Sequence, residues 1–200
     1  METTVTSPSG RTLHHRAIRQ TTPREDNEAK EVRINITREQ RVAKNKEYLK
    51  NANVQAFLKA IGEAEGGGYD FKFGAVKGRK NDSWRFTDFS THPGAGKGGV
   101  TTAAGLYQIT KPTWHDHGEN GMGLTDFTPE TQDLIAVSIL RRRRVIEKIE
   151  EGDIEAGVFQ ASLQWAALPM GRGQPGRYKQ PYFKFEHFEE VYKAAGGTTK

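Results

Sequence analysis

The sequence predicts an α+β domain dominated by helix, behind a polar and basic N-terminal segment. Three observations lead there. Apolar residues recur at helical spacing after residue 54 and again after residue 128. Between them, residues 70–109 alternate short aromatic or β-branched pieces with Gly-rich turns. Residues 1–36 are rich in Ser, Thr, Pro and Arg and show little periodicity.

The elements follow in order. Residues 1–36 are expected to be a linker or partner-binding arm, too polar to fold alone. Thr37 and Gln40 have capping-box spacing and open a charged helix to about Lys50, with a thin apolar stripe of Val42, Tyr48 and Leu49. Residues 1–53 thus form one N-terminal region, and residues 54–200 the domain proper. Asn53 is the expected N-cap of the next helix. Val54, Leu58, Ile61 and Glu65 share one of its faces, with Phe57 alongside. Glu63 lies about 200° around the axis from Ile61 and faces solvent. Gly66, Gly67 and Gly68 end the helix and leave room beside Glu65. An irregular β region is expected from Asp70 to Ile109. Pro112 starts a short helix, and Thr128-Pro129 starts a long one to about Glu151. Asp153 caps another helix that ends before Pro169. A loop, "GRGQPGRYKQP", precedes a final helix from about Tyr182 to Gly196-Gly197.

Composition narrows the function. Apolar residues make up 34% and mean hydropathy is −0.75, so part of the chain adds little to a core. No cysteine is present, which excludes disulfide and thiol chemistry. No apolar run approaches the roughly 20 residues that span a bilayer, and residues 1–15 lack the apolar stretch of a secretory signal. The net charge of +5 is uneven: residues 1–53 hold eleven Lys/Arg against seven Asp/Glu, and residues 54–200 nineteen against eighteen. Such a segment suits an anionic polymer or surface. The glycine-rich "HPGAGKGG" fails as a nucleotide loop, because Lys97 is followed by Gly98 and not by Ser or Thr. His115 and His117 stand two apart and cannot share a helical face as metal ligands. Arg141 to Arg144 point all round a helix, so most are solvated.

Glu65 is the candidate for chemistry. A carboxyl on an apolar face is costly to ionise, so its pKa rises and it can carry a proton near neutral pH. Glycoside cleavage requires such an acid. The bland alternative is an ordinary glutamate at a frayed helix end. Trp84, Phe86, Tyr107, Trp114 and Trp165 could stack on sugars, although an aromatic of this kind is more often core than cleft.

Six stretches occur in one familiar order: "AFLKAIGEAEG", "FTDFSTHP", "AAGLYQIT", "GLTDFTPETQD", "GDIEAGVFQASLQWAALP" and "YKAAGG". Through them, roughly residues 54–197 resemble the λ-type phage endolysins, a family of lysozyme-like lytic transglycosylases. The resemblance implies a lysozyme-like fold and Glu65 as the catalytic acid. Gly105, Tyr107 and Gln108 match the segment that lines the glycan cleft, and Trp165 is the aromatic candidate for substrate binding. Peptidoglycan glycan strands are the implied substrate, with no cofactor, metal, nucleic acid or membrane insertion. The implied product is a 1,6-anhydro sugar. Asp88 is the possible second carboxylate if the enzyme hydrolyses instead. Gly67 stands where members carry a polar residue, and the loop from Gly171 to Gln180 differs. Residues 1–53 have no counterpart in the short endolysins. They suggest docking on a phage tail or other virion protein, for action on the host wall during entry. The alternatives are a free endolysin, made in the host cytoplasm and released to the periplasm by a holin-type route, and a non-catalytic phage structural protein that retains the fold.

Overall fold

The computed structural model describes residues 5–6, 12–13 and 27–200. Most of the expected N-terminal arm therefore lies outside the described residues. The chain divides into two units, Met1–Arg33 and Ile34–Lys200. In the first, β1 (Val5–Thr6) pairs antiparallel with β2 (Thr12–Leu13), Val5 opposite Leu13.

Helix α1 (Asn27–Leu49) starts well before Thr37, where the sequence suggested it. Its early turns hold good helix formers but no buried stripe: Val32, Ile34 and Ile36 are exposed. Apolar periodicity could not reveal them. Its later turns belong to the second unit and dock there. Asn45 is fully buried and donates to the Leu134 carbonyl at 3.1 Å. Arg41 donates to the Gly121 carbonyl at 3.0 Å, and the Tyr48 hydroxyl to Glu147 at 2.8 Å. The compact unit thus begins at Ile34 and takes in the later turns of α1, which the sequence alone assigns to the N-terminal region up to residue 53.

Helix α2 (Ala52–Ala64) is capped by Asn51, not Asn53; the Asn51 carboxamide oxygen accepts from the N–H groups of Asn53 and Val54. Asn53 instead donates to the Glu150 carbonyl and accepts from the Thr198 N–H at 2.8 Å. The buried face of α2 (Val54, Phe57, Leu58, Ile61) runs through the centre of the core.

The region from Asp70 to Ile109 is less regular than expected. Among the described residues it carries isolated bridges, such as Phe71 with Arg85 and Ala104 with Ile109, plus a 3₁₀ turn at Lys97–Gly99. The domain is accordingly mainly helical, with hardly any strand. Helix α3 (Lys111–Trp114) runs directly into a π-helical turn, His115–Asn120, that no sequence signal announced.

Helix α4 (Pro129–Arg142) has the predicted Thr128 cap. Leu134 to Val137, Ile139 and Leu140 are all buried, so it is a core helix. It ends earlier than expected. Arg144 takes a left-handed conformation with φ of 57°, and α5 (Ile146–Glu150) follows. The break lacks the usual glycine, which is why the pattern read as one helix. Asp153 caps α6 (Ile154–Ala161) as predicted, accepting from the Ala156 N–H. Helix α7 (Phe185–Ala194) starts three residues after Tyr182 and packs on α2, with Phe188 edge-on to Phe57 at 5.0 Å.

The docking of α1 can be measured. Tyr48→Ala should cost about 3 kcal/mol of stability, the usual range for emptying a buried aromatic site. Urea unfolding of the full chain and the variant checks this; an unchanged midpoint would mean that α1 rests on the domain without supporting it.

Candidate active site

Glu65 is the C-cap of α2, still in helical geometry with φ of −74° and ψ of −10°. Gly66 follows at φ of +62° and turns the chain away. Val54, Leu58 and Ile61, which precede Glu65 on the same helical face, are buried, and Glu65 stands half-buried at the end of that face. One oxygen accepts from the Ala167 N–H at 3.4 Å. Burial raises the Glu65 pKa to about 7, against the lowering effect of that N–H. Glu63 points elsewhere and meets Lys77 at 3.2 Å on the surface.

A cleft of about 490 Å³ opens over Glu65. Phe71, Lys72, Phe73, Gln108, Trp165 and Gln180 are among the residues that line it. Two further clefts of about 530 and 520 Å³ lie against the π-helical turn.

The loop Gly105–Gln108 borders the cleft and is held from behind. Ala104 and Ile109 exchange two backbone hydrogen bonds, at 3.0 and 2.7 Å, and close the loop. Gly105 has φ of +76°, and a Cβ there would collide with the Gln132 carboxamide. That carboxamide accepts from the Leu106 N–H at 2.9 Å and donates to the carbonyls of Tyr69 and Phe127 at 3.0 and 2.8 Å. Next to it, Asp133 accepts from the hydroxyls of Tyr107 and Tyr69 at 2.7 and 2.9 Å. Burial raises the Asp133 pKa while the two hydroxyls oppose it, and burial and the Asp133 charge push Tyr69 up to about 12.

The predicted site residues therefore separate. Glu65, Gln108 and Trp165 meet at the cleft. The side chain of Tyr107 turns to Asp133, and its carbonyl accepts from the Trp165 indole at 3.0 Å. Gly105 and Tyr107 thus shape the loop, and are not among the residues that line the cleft. Of the other aromatics, Phe86 and Trp114 are core. Asp88 is exposed and accepts from the Ser90 N–H at 2.8 Å. Hydrogen bonds from Ser90 hold its pKa below the usual range, and it does not line the cleft with Glu65. Gly67 also finds its reason: a Cβ there would lie 2.5 Å from the Leu106 carbonyl oxygen, so the loop rests directly on its backbone.

Sequence reasoning missed Gln132, Asp133 and Tyr69. A signal existed for Gln132. It stands three before Ile135 and four before Ala136, a polar group on an apolar stripe, which is the mark that singled out Glu65. The two histidines part company: His115 is exposed beside Asn120 and Glu119, whereas His117 is buried against the Ser138 hydroxyl at 2.9 Å, and burial lowers its pKa to about 4. Among the described residues, no group of three or more His, Cys, Asp or Glu converges as a metal site.

The raised pKa of Glu65 has a consequence for stability. Its folded value, about 7, lies above its ordinary 4.5. The unfolded chain thus loses this proton first, and the folded state is penalised progressively as pH rises from about 4.5 to 7. Relative to wild type, Glu65→Gln should be near neutral at pH 4 and stabilising by up to about 3 kcal/mol at pH 8. Urea midpoints at both pH values check this; a pH-independent difference would mean that Glu65 titrates normally.

Comparison with known proteins agrees with this architecture. The family model for endolysins matches residues 55–199. The endolysin of Escherichia phage P2 is 31% identical over 163 residues, 72% of this chain and 93% of the relative. The endolysin of Escherichia phage lambda is 35% identical over 126 residues, 58% of this chain and 72% of the relative. The solved structure of the bacteriophage lambda lysozyme complexed with a chitohexasaccharide matches with a TM-score of 0.63 at 29% identity, covering 75% of this chain and 97% of that one. The fold is lysozyme-like, and the chain belongs to the λ-type phage endolysin family.

Proposed function

We propose that this chain degrades peptidoglycan by lytic transglycosylation at the MurNAc–GlcNAc β-1,4 bond, with Glu65 as acid and then base. One observation carries the choice of chemistry: among the described residues lining the cleft, Glu65 is the sole carboxyl. A hydrolase of the usual kind needs a second carboxyl across the bond, about 5–9 Å away, to act as nucleophile or to activate water. Asp88, the alternative, is exposed and engaged with Ser90. The glycan bound to the lambda lysozyme supports a sugar polymer as the ligand of this cleft.

The steps balance with one carboxyl. Glu65, neutral, gives its proton to the glycosidic oxygen as the bond to C1 breaks and GlcNAc leaves. Charge develops at C1 of MurNAc, as an oxocarbenium-like or acetamide-assisted intermediate. The C6 hydroxyl of the same MurNAc attacks C1 and its proton passes to the Glu65 carboxylate. The product is a 1,6-anhydro ring, and no water is consumed. Burial serves this sequence because a pKa near 7 lets the group give and take a proton at working pH.

Residues 54–200 carry this chemistry, braced by α1. For the setting, two observations support different readings. The basic excess of residues 1–53, ahead of a family match that starts at 55, supports a virion-associated enzyme whose N-terminal segment docks on a tail or other virion protein. The names of both relatives support release as a free endolysin. Proteomics of washed phage particles separates them, since only the first reading puts the full-length chain in the particle.

Glu65→Gln should lower murein cleavage by at least about 100-fold, in line with loss of a general acid, while Glu63→Gln should stay within about twofold of wild type, as surface changes usually do. Zymography and turbidity assays on purified murein check both. Equal loss in the two variants, or an active Glu65→Gln, would defeat the assignment; an inactive wild type would favour the structural-protein reading.

The product decides the reaction. Mass spectrometry of digested peptidoglycan should show anhydro ends, one water lighter than reducing ends. Asp88→Asn should slow the enzyme without altering them. Reducing ends from wild type, together with a dead Asp88→Asn, would establish hydrolysis.

A further inference from the structure

The second large cleft lies between α1 and α4, walled on one side by the π-helical turn. It measures about 520 Å³ and gathers Arg41 and Lys44 from α1 with Arg141 and Arg142 from α4. Two acids border it, Asp116 and Glu147. Asp116 is engaged by Arg142, and Glu147 accepts from the Tyr48 hydroxyl. Among the described residues, Arg41, Lys44 and Arg141 have no carboxylate within ion-pair distance.

These cations are held in place. Lys44 and Arg141 both stand over the ring of buried Tyr48, at 4.7 and 5.6 Å from its centroid. Arg141 donates one N–H to the Asn45 carboxamide oxygen at 2.5 Å, and Arg41 one to the Gly121 carbonyl at 3.0 Å. Each guanidinium has five N–H donors, so several remain for a ligand. Like charges fixed around one cavity repel each other, and an anion between them relieves that repulsion. A planar carboxylate suits a single guanidinium fork. A tetrahedral phosphate takes donors from several directions, as four cations on two helices would present them. The cavity has room beyond a phosphate for the group that bears it. The family match starts at residue 55, so half of these cations come from a helix that precedes it.

We propose that the cleft between α1 and α4 is a binding site for a phosphate-bearing anion, held by Arg41, Lys44, Arg141 and Arg142. Two sources share that chemistry, a free phosphate or its soluble ester and a phospholipid headgroup. The site stands apart from the Glu65 cleft and does not depend on the reaction carried out there.

The test uses the full chain. Inorganic phosphate is titrated while NMR follows the Arg41 and Arg141 side chains and the backbone of residues 41–48. In parallel, the protein is sedimented with vesicles of phosphatidylglycerol and phosphatidylcholine, or of phosphatidylcholine alone. Saturable shifts with phosphate identify the free anion as ligand; sedimentation with the anionic vesicles alone identifies the headgroup. Either supports the site, provided Lys44→Gln and Arg41→Gln each weaken it about tenfold, as expected for loss of a charged hydrogen-bond donor. Both side chains are exposed, and thermal unfolding confirms that the variants fold. Absence of both responses, or binding that the substitutions leave unchanged, overturns the proposal.

Discussion

The carboxamide of Gln132 ties together the parts on which the cleft depends. From a fully buried position on α4 it bonds three separate pieces of backbone: the Leu106 N–H and the carbonyls of Tyr69 and Phe127. None of those pieces lies in regular structure. Their polar groups need partners inside the protein, because an unpaired buried amide costs more than a bond to water would return. A glutamine supplies a donor pair and an acceptor from one rigid group. Asp133 repeats the device with two tyrosine hydroxyls. Helix α4 therefore acts as a template for chain that could not hold its own shape.

The cleft inherits its electrostatics from the same arrangement. Loop 105–108 rests against Gly67, just past the end of α2, and the Tyr107 carbonyl holds the Trp165 indole. Glu65 lines the same cleft as Trp165, half-buried and with one modest hydrogen bond. Desolvation decides its ionisation. A strong cationic partner would have pulled the carboxyl down to the usual acid range. Lys77 does meet a glutamate nearby, but the wrong one for chemistry: Glu63, on the solvent side.

Much of this was legible in the sequence where the cause is local or periodic. The stripe from Val54 to Glu65 separated the two glutamates by helical phase alone, and Thr128 and Asp153 announced their helices by capping. What escaped depends on contacts distant in the chain. Tyr107 read as a cleft residue because its motif lies there, yet its side chain is claimed by Asp133, 26 residues on. The end of α4 escaped because a left-handed arginine, not a glycine, makes the turn. The first turns of α1 escaped because an exposed helix has no apolar period to detect. The irregular β region was located correctly but not its sparseness, since bridges between short aromatic pieces and true strands share one composition.

The missing Cβ atoms at Gly67, Gly105 and Gly157 mark where the fold has no spare room. At each, the space a methyl group would need is taken by backbone, by Gln132 or by the ring of Phe57. Gln108 adds a constraint of another kind, with a left-handed φ of 47° that few side chains tolerate. Variation among descendants of this sequence is thus channelled outward. Among the described residues, Lys72 and Gln180 bring no side-chain hydrogen bond to the frame and can change without moving it, whereas the turn after Glu65 and the loop resting on it are fixed by geometry. Adaptation to a chemically different wall would be written on such side chains along the cleft, with the acid and the loop against it passed on unchanged.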